Sequence, residues 1–203
     1  NGGVPKENVK EENMQALEIG MNNLYKHISN LHEKFGLNVI VAINKYNTDT
    51  EQELRFVENQ LANKGIQSSM VESWAKGGNG AIDIATKLVE LVEQEENFKF
   101  TYELNDSITE KINKVATKIY GAEKVIYSDE SVVEIQKIEE LGYSDLPVCI
   151  AKTQYSFSDD AKKLNAPEGF EFNIRNVELK AGAGFVVVLA GKIMTMPGLP
   201  KVP

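Results

Sequence analysis

Apolar residues along this chain fall first at helical spacing, then in short unbroken runs, and the two patterns alternate over most of its length. Met14, Leu17, Met21, Leu24, Ile28 and Leu31 predict a helix over 11–35, closed by Gly36. Residues 37–43 are apolar and β-branched, which predicts a central parallel strand covered on both faces. Thr48-Asp49-Thr50-Glu51 supplies cap and first-turn acids for a helix reaching about residue 63. A strand is expected over 66–72 and a flexible loop at Gly77-Gly78-Asn79-Gly80. Ile82, Ala85, Leu88, Val89 and Val92 form the expected inward face of a helix over 81–95. Residues 98–102 alternate and predict a half-buried strand. Helices over 106–120 and 131–141 and strands over 124–127 and 147–152 follow.

This alternation predicts an α/β fold: three layers, a mostly parallel sheet with helices on both faces. The pattern changes after residue 152, with a polar loop over 153–168 and strands at 170–179 and 185–194. Gly182 and Gly184 between them fit a tight connection or the close approach of a ligand. The expected organisation is a linker helix or the end of a preceding domain over 1–25, an α/β domain over 26–180, and a C-terminal strand and loop extension over 181–203. The terminal residues, Asn1 and Pro203, give the expectation of a piece of something longer.

Composition narrows the function classes. With 203 residues and a formal net charge of -8, from 30 acidic against 22 basic residues, no general nucleic-acid binder is expected. No apolar run approaches the ~20 residues that span a bilayer, and no leader pattern is visible. The single Cys149 excludes an internal disulfide, fits a reducing, cytoplasmic setting, and reads as a small core residue. His27 and His32, five residues apart, miss the spacing for metal ligands on one helical face, so no metal site is expected.

Two buried strands end in polar loops that bear aromatics, Tyr46 and Trp74. In an open α/β sheet, ligands bind outside the carboxyl ends of the strands. Two rings there can hold a flat heterocycle, or they can be loop-packing aromatics. Asn44-Lys45-Tyr46-Asn47-Thr48-Asp49 is similar to the Asn-Lys-x-Asp with which GTPases read guanine, with the aspartate displaced by two positions. The matching phosphate loop is missing, since Gly191-Lys192 is followed by Ile193. Lys152-Thr153-Gln154-Tyr155-Ser156 leaves a strand with a lysine and hydroxyls, which suits phosphate or carboxylate and equally a surface loop. Glu168, Arg175 and Glu178 are expected in surface ion pairs.

At these residues the chain resembles the formate–tetrahydrofolate ligases. The resemblance rests on Val41-Ala42-Ile43-Asn44-Lys45-Tyr46-Asn47-Thr48-Asp49, Trp74-Ala75-Lys76-Gly77-Gly78, Leu146-Pro147-Val148-Cys149-Ile150-Ala151-Lys152-Thr153-Gln154-Tyr155-Ser156, Pro167-Glu168-Gly169-Phe170, Ala181-Gly182-Ala183-Gly184-Phe185 and Thr195-Met196-Pro197-Gly198-Leu199-Pro200-Lys201-Val202-Pro203. It implies the C-terminal third of an enzyme that joins formate to N10 of tetrahydrofolate with ATP and Mg²⁺, through formyl phosphate. It further implies that Tyr46 and Trp74 sandwich the pterin ring, with Met70 as an apolar wall. Asn47 stands where proline is common. Lys152, Thr153, Pro167 and Glu168 would lie in a region of nucleotide or subunit contacts. The phosphate loop would lie in an N-terminal region that this chain lacks, so the chain alone is expected to be inactive. The whole enzyme would be a cytoplasmic homo-oligomer, a tetramer by resemblance. Two other readings stand beside it: a non-catalytic α/β interaction module and a GTPase-like nucleotide domain.

Overall fold

The helical spacing at the start of the chain becomes α1, Met14–Ser29, whose first turn is capped by the Asn13 side chain accepting the Ala16 N–H at 2.9 Å. The structure is a computed structural model that describes residues 2–193, so Met194 and the closing Thr195-to-Pro203 stretch lie outside the described residues. The chain divides into two units, Asn1–Lys99 and Phe100–Pro203. The domain expected over 26–180 spans that division.

In the first unit, α1 runs on through a wide turn, Asn30–Lys34, to Gly36, whose φ of 71° only glycine adopts freely. Then come β1 (Ile40–Asn44), α2 (Glu51–Ala62), β2 (Gln67–Val71), the helical turn α3 (Ser73–Lys76), a 3₁₀ turn over Gly77–Ala81, and α4 (Ile82–Val92). Thr50 and Glu53 cap α2 reciprocally, Thr50 Oγ1 accepting the Glu53 N–H and Glu53 Oε2 accepting the Thr50 N–H. The strands β1 and β2 are parallel and in register, Asn44 beside Val71. Met21, Ile28 and Leu61 pack against Val41 and Ile43, so α1 and α2 cover one face. On the other face Ser69 donates to Asp83 of α4, at 2.6 Å.

Three expectations change here, the first two for one physical reason. The first unit's sheet is two strands wide, too narrow to cover a whole helix face. β1 is therefore not covered on both faces: Ala42 and Asn44 are exposed. The expected inward face of α4 is exposed at Ile82, Leu88, Val89 and Val92, and Leu91 is the buried residue. The segment 98–102 forms no strand; the Asn97 and Lys99 N–H groups bond to Gly36 and Phe35 carbonyls at the end of α1's extension.

The second unit contains α5 (Ile108–Val115), β3 (Ala122–Tyr127), α6 (Asp129–Glu140), β4 (Val148–Ala151), β5 (Phe170–Lys180) and β6 (Phe185–Ala190). Its sheet order is β3-β5-β6-β4, with β5 and β6 antiparallel and the flanking pairs parallel. The α/β class and mostly parallel pairing agree with the sequence pattern, but the strands fall into two sheets. Ile112 of α5 and Ile138 of α6 meet Phe172, Ile174 and Val188 in the core. The stretch expected to extend from residue 181 contributes β6, a central strand. Gly182 and Gly184 lie in the tight connection between β5 and β6, where Gly184 takes φ 75°. Cys149 is exposed rather than in the core, because β4 is an edge strand. Among the described residues Arg175 has no ion pair; its guanidinium donates to the carbonyls of Gly191 (3.2 Å) and Ile193 (2.8 Å).

Two half-buried phenols make this unit sensitive to alkali. Burial pushes Tyr120 up to about 12 and raises Tyr127, whose hydroxyl donates to Asn113 Oδ1 at 3.0 Å. A phenol raised on folding stabilises fully below its unfolded value near 10 and loses that contribution as pH climbs through its folded value. Lys111, lowered by desolvation, works the other way, but only up to its unfolded value of 10.5. The expected result is a fall in unfolding free energy between pH 10.5 and 12, about 1.5 kcal/mol from Tyr120 alone. Urea titrations across that range check it. Tyr120→Phe should flatten the slope.

Candidate functional site

The carboxyl edge of the β1–β2 pair gathers the aromatic residues that the sequence singled out. Asn44 and Val71 end the two strands side by side, so both following loops leave from one edge. Tyr46 lies two residues beyond β1 and is 68% exposed. Trp74, on α3, is 94% exposed. An indole this open gains nothing from the fold of the described chain. A loop-packing aromatic would be covered, so the exposure argues against that reading.

Backbone hydrogen bonds set both loops. The Asp49 carboxylate accepts the Tyr46 N–H at 2.8 Å, and the Asp49 N–H bonds back to the Tyr46 carbonyl at 3.2 Å. This closed turn spends the aspartate that a guanine-reading site would need. Lys45 pairs with Glu51 at 3.2 Å. Across the edge, Glu72 accepts from Lys76 at 2.5 Å, and that bond holds its carboxyl below the usual range. Asp83 is lowered likewise, first by Lys87 and then by Ser69. The charges on these two loops are thus Lys45, Asp49, Glu51, Glu72 and Lys76. Sequence reading missed Glu72 and Glu51 as neighbours of the site. The i,i+4 spacing of Glu72 and Lys76 was the available signal.

The glycine-rich segment is a turn rather than a flexible loop. The Gly80 carbonyl accepts the Glu72 N–H at 3.0 Å. A Cβ on Gly80 would come within 2.5 Å of the Glu72 carbonyl carbon and oxygen, and within 2.8 Å of the Ser73 nitrogen. Gly80→Ala must therefore displace the start of α3 and with it Trp74. It is expected to cost about 1–3 kcal/mol of stability, as overpacking does. Thermal melts of the variant check this, together with the environment of Trp74 fluorescence.

Met70 pairs with Ile43 and so shares the α1–α2 face of the sheet, where it is half-buried. It is not on the face where Ser69 meets α4.

Lys152, Thr153, Pro167 and Glu168 belong to the second unit. β4 ends where β5 begins, because the two run in opposite directions in the sheet. The structure therefore brings these four residues to one sheet edge. Lys152 Nζ donates to the Thr153 carbonyl at 3.2 Å and to the Ser156 carbonyl, and lies 5.0 Å from the centre of the Tyr120 ring. Desolvation lowers its pKa, partly opposed by Asp159. Its ammonium is committed to its own loop. Thr153 Oγ1 accepts the Tyr155 N–H at 3.3 Å, Pro167 is half-buried and Glu168 is exposed. His32 Nδ1 lies 3.0 Å from the Leu37 carbonyl. Among the described residues no group of three His, Cys, Asp or Glu side chains could hold a metal, and no helix is long and apolar enough to cross a membrane.

Comparison with known proteins adds two findings. The family model described as formate–tetrahydrofolate ligase matches residues 1–203. A formate–tetrahydrofolate ligase of Campylobacter curvus is 48% identical over 203 residues, which is all of this chain and 37% of that relative. The chain thus spans a little over a third of the length of the relative it matches.

Proposed function

The chain belongs to the formate–tetrahydrofolate ligase family, and from that premise we propose that it supplies the pterin-binding part of the ligase. The observation that carries this reading is the pair of exposed rings, Tyr46 and Trp74, on loops leaving one strand edge in register. The pterin would lie between them, its flat faces against the two aromatic faces. Met70, on the α1–α2 side of β2, would set a wall only from beneath the strand end. Glu72, Lys76 and Lys45 offer hydrogen-bonding groups to the polar rim of such a heterocycle.

The full-length ligase would formylate tetrahydrofolate at N10, with ATP activating formate as formyl phosphate and Mg²⁺ accompanying the nucleotide. Formate is a poor electrophile, and a phosphate leaving group is what a folate amine can displace. The residues described here do not fit the nucleotide. Lys152 is the strongest candidate cation, and it is turned into its own loop. ATP and Mg²⁺ are therefore assigned to the remainder of a longer protein, and this chain is proposed to bind and orient the folate only. A cytoplasmic homotetramer is the assembly that goes with this reading.

Calorimetric titration of the 203-residue chain with tetrahydrofolate, beside a titration with GTP, tests the proposal. Saturable heat with the folate alone is the expected result, with no ADP released from ATP and formate. Saturation by GTP, or by neither ligand in a chain shown to be folded, would count against it. A non-catalytic interaction module shares the exposed Trp74 and predicts the second of those outcomes.

A further inference from the structure

Among the described residues β1 has one edge without a partner. The Lys45 N–H bonds to the Val71 carbonyl at 3.0 Å, so in the parallel register Val41, Ile43 and Lys45 face β2. Ile40, Ala42 and Asn44 therefore turn their N–H and C=O groups the other way. Among the described residues no hydrogen bond meets them there. The outer edge of β2 is handled differently. Lys87 Nζ donates to the Ser68 carbonyl at 3.0 Å, and the Glu72 N–H donates to Gly80 at 3.0 Å. One edge of this small sheet is blocked and the other is open, on a strand of sequence Val39-Ile40-Val41-Ala42-Ile43.

The exposed flank of α4 points the same way. At about 100° per residue, Asp83 and Lys87 lie on one side of the buried line through Ile84 and Leu91. Leu88, Val92 and Ala85 lie on the other side. Asp83 and Lys87 reach Ser69 and Ser68, so their flank sits over the blocked edge of β2. The opposite flank then projects over β1 and past it. It carries Ala85 with Leu88 (46% exposed) and Val92 (63% exposed), apolar side chains that the described residues leave uncovered. A strand beside β1 would lie under them.

We propose that the open edge of β1 receives a further parallel strand, contributed by a segment that precedes α1 in a longer polypeptide, with α1 as its crossover helix. Topology selects this occupant. α1 and α2 lie on the same face of the sheet. Right-handed crossovers through both helices then place the strand before α1 on the side of β1 away from β2, which is the open side. Parallel neighbours need a crossover of about a dozen residues or more, which α1 supplies. The described residues before α1 hold a 3₁₀ turn at Lys6–Asn8 and no strand. The matched relative is long enough to contain one, since this chain spans 37% of it. The inference rests on hydrogen bonding and chain topology, and stands or falls apart from folate binding.

Backbone amide exchange tests it, measured residue by residue in the 203-residue chain and in the full-length ligase bearing this sequence. Ala42 and Asn44 should exchange freely in the chain and at least about a hundredfold more slowly in the full-length protein. Fast exchange in both would overturn the proposal. Slow exchange in the chain itself would also overturn it, by showing the edge filled from within or by a second copy, and dilution would tell those apart. Ala42→Pro gives an independent reading, because it removes an outward N–H. It should leave the melting temperature of the 203-residue chain unchanged and lower that of the full-length protein. Equal shifts in both would contradict a strand at this edge.

Discussion

Trp74→Ala is expected to leave the melting temperature of the chain unchanged and to weaken tetrahydrofolate binding by about a hundredfold. The first half follows from exposure, since an indole 94% exposed has almost no packing to lose. The second half follows from what a ligand would cover. A heterocycle laid on one face of the tryptophan covers roughly 60 Å² of apolar area, worth about 1.5 kcal/mol at 25 cal/mol/Å², and stacking adds about 0.5–1.5 kcal/mol. A loss of about 2–3 kcal/mol is near a hundredfold in Kd. Tyr46→Phe should bind almost as the parent does, because it keeps the ring, and Tyr46→Ala should lose about tenfold. Calorimetry on the three variants checks these values. Unchanged affinity in Trp74→Ala would remove the pterin from this edge and leave Trp74 to a protein contact.

The largest stability effect is expected from Lys111. Its side chain is fully buried in α5, and Nζ donates to the Ser144 carbonyl at 2.5 Å and the Leu146 carbonyl at 3.0 Å. It thereby fastens the loop between α6 and β4 to the core. Lys111→Ala leaves two inward carbonyls without a donor and opens a cavity. The expected cost is about 3–4 kcal/mol. Lys111→Met fills the space but restores neither hydrogen bond, so it should recover only part of that loss. Urea unfolding of both variants would measure this, and a loss below about 1 kcal/mol for the alanine variant would show that water replaces the ammonium.

Neither the burial of Lys111 nor its partners could be read from Ile108-Thr109-Glu110-Lys111-Ile112. Lysine at that spacing reads as the polar side of an amphipathic helix, and its carbonyl partners lie more than thirty residues downstream. The helix itself was legible, and the structure adds the Ser107–Glu110 capping box that starts it. Tyr46 and Trp74 were legible as loop aromatics beyond strands, because strand ends and polar loops are local patterns. Lys152 looked like a free cation at a strand end, and the loop that takes up its charge became visible only on folding.

Much local order was written in the sequence: the approximate course of the helices, the strand runs apart from the one expected at 98–102, the α/β class, and the family strings through which the chain resembles the ligases. Each depends on residues within a few positions of one another, where propensity, capping and periodicity act. Tertiary structure alone decided which strands share a sheet, that β6 is central, that β1 keeps an open edge, and that α4 turns Val89 and Val92 to solvent. An apolar stripe states that a helix face must be covered. It does not state by what, because the covering surface is set by strand partners far away in sequence, and here the proposed partner for that surface lies in a longer polypeptide.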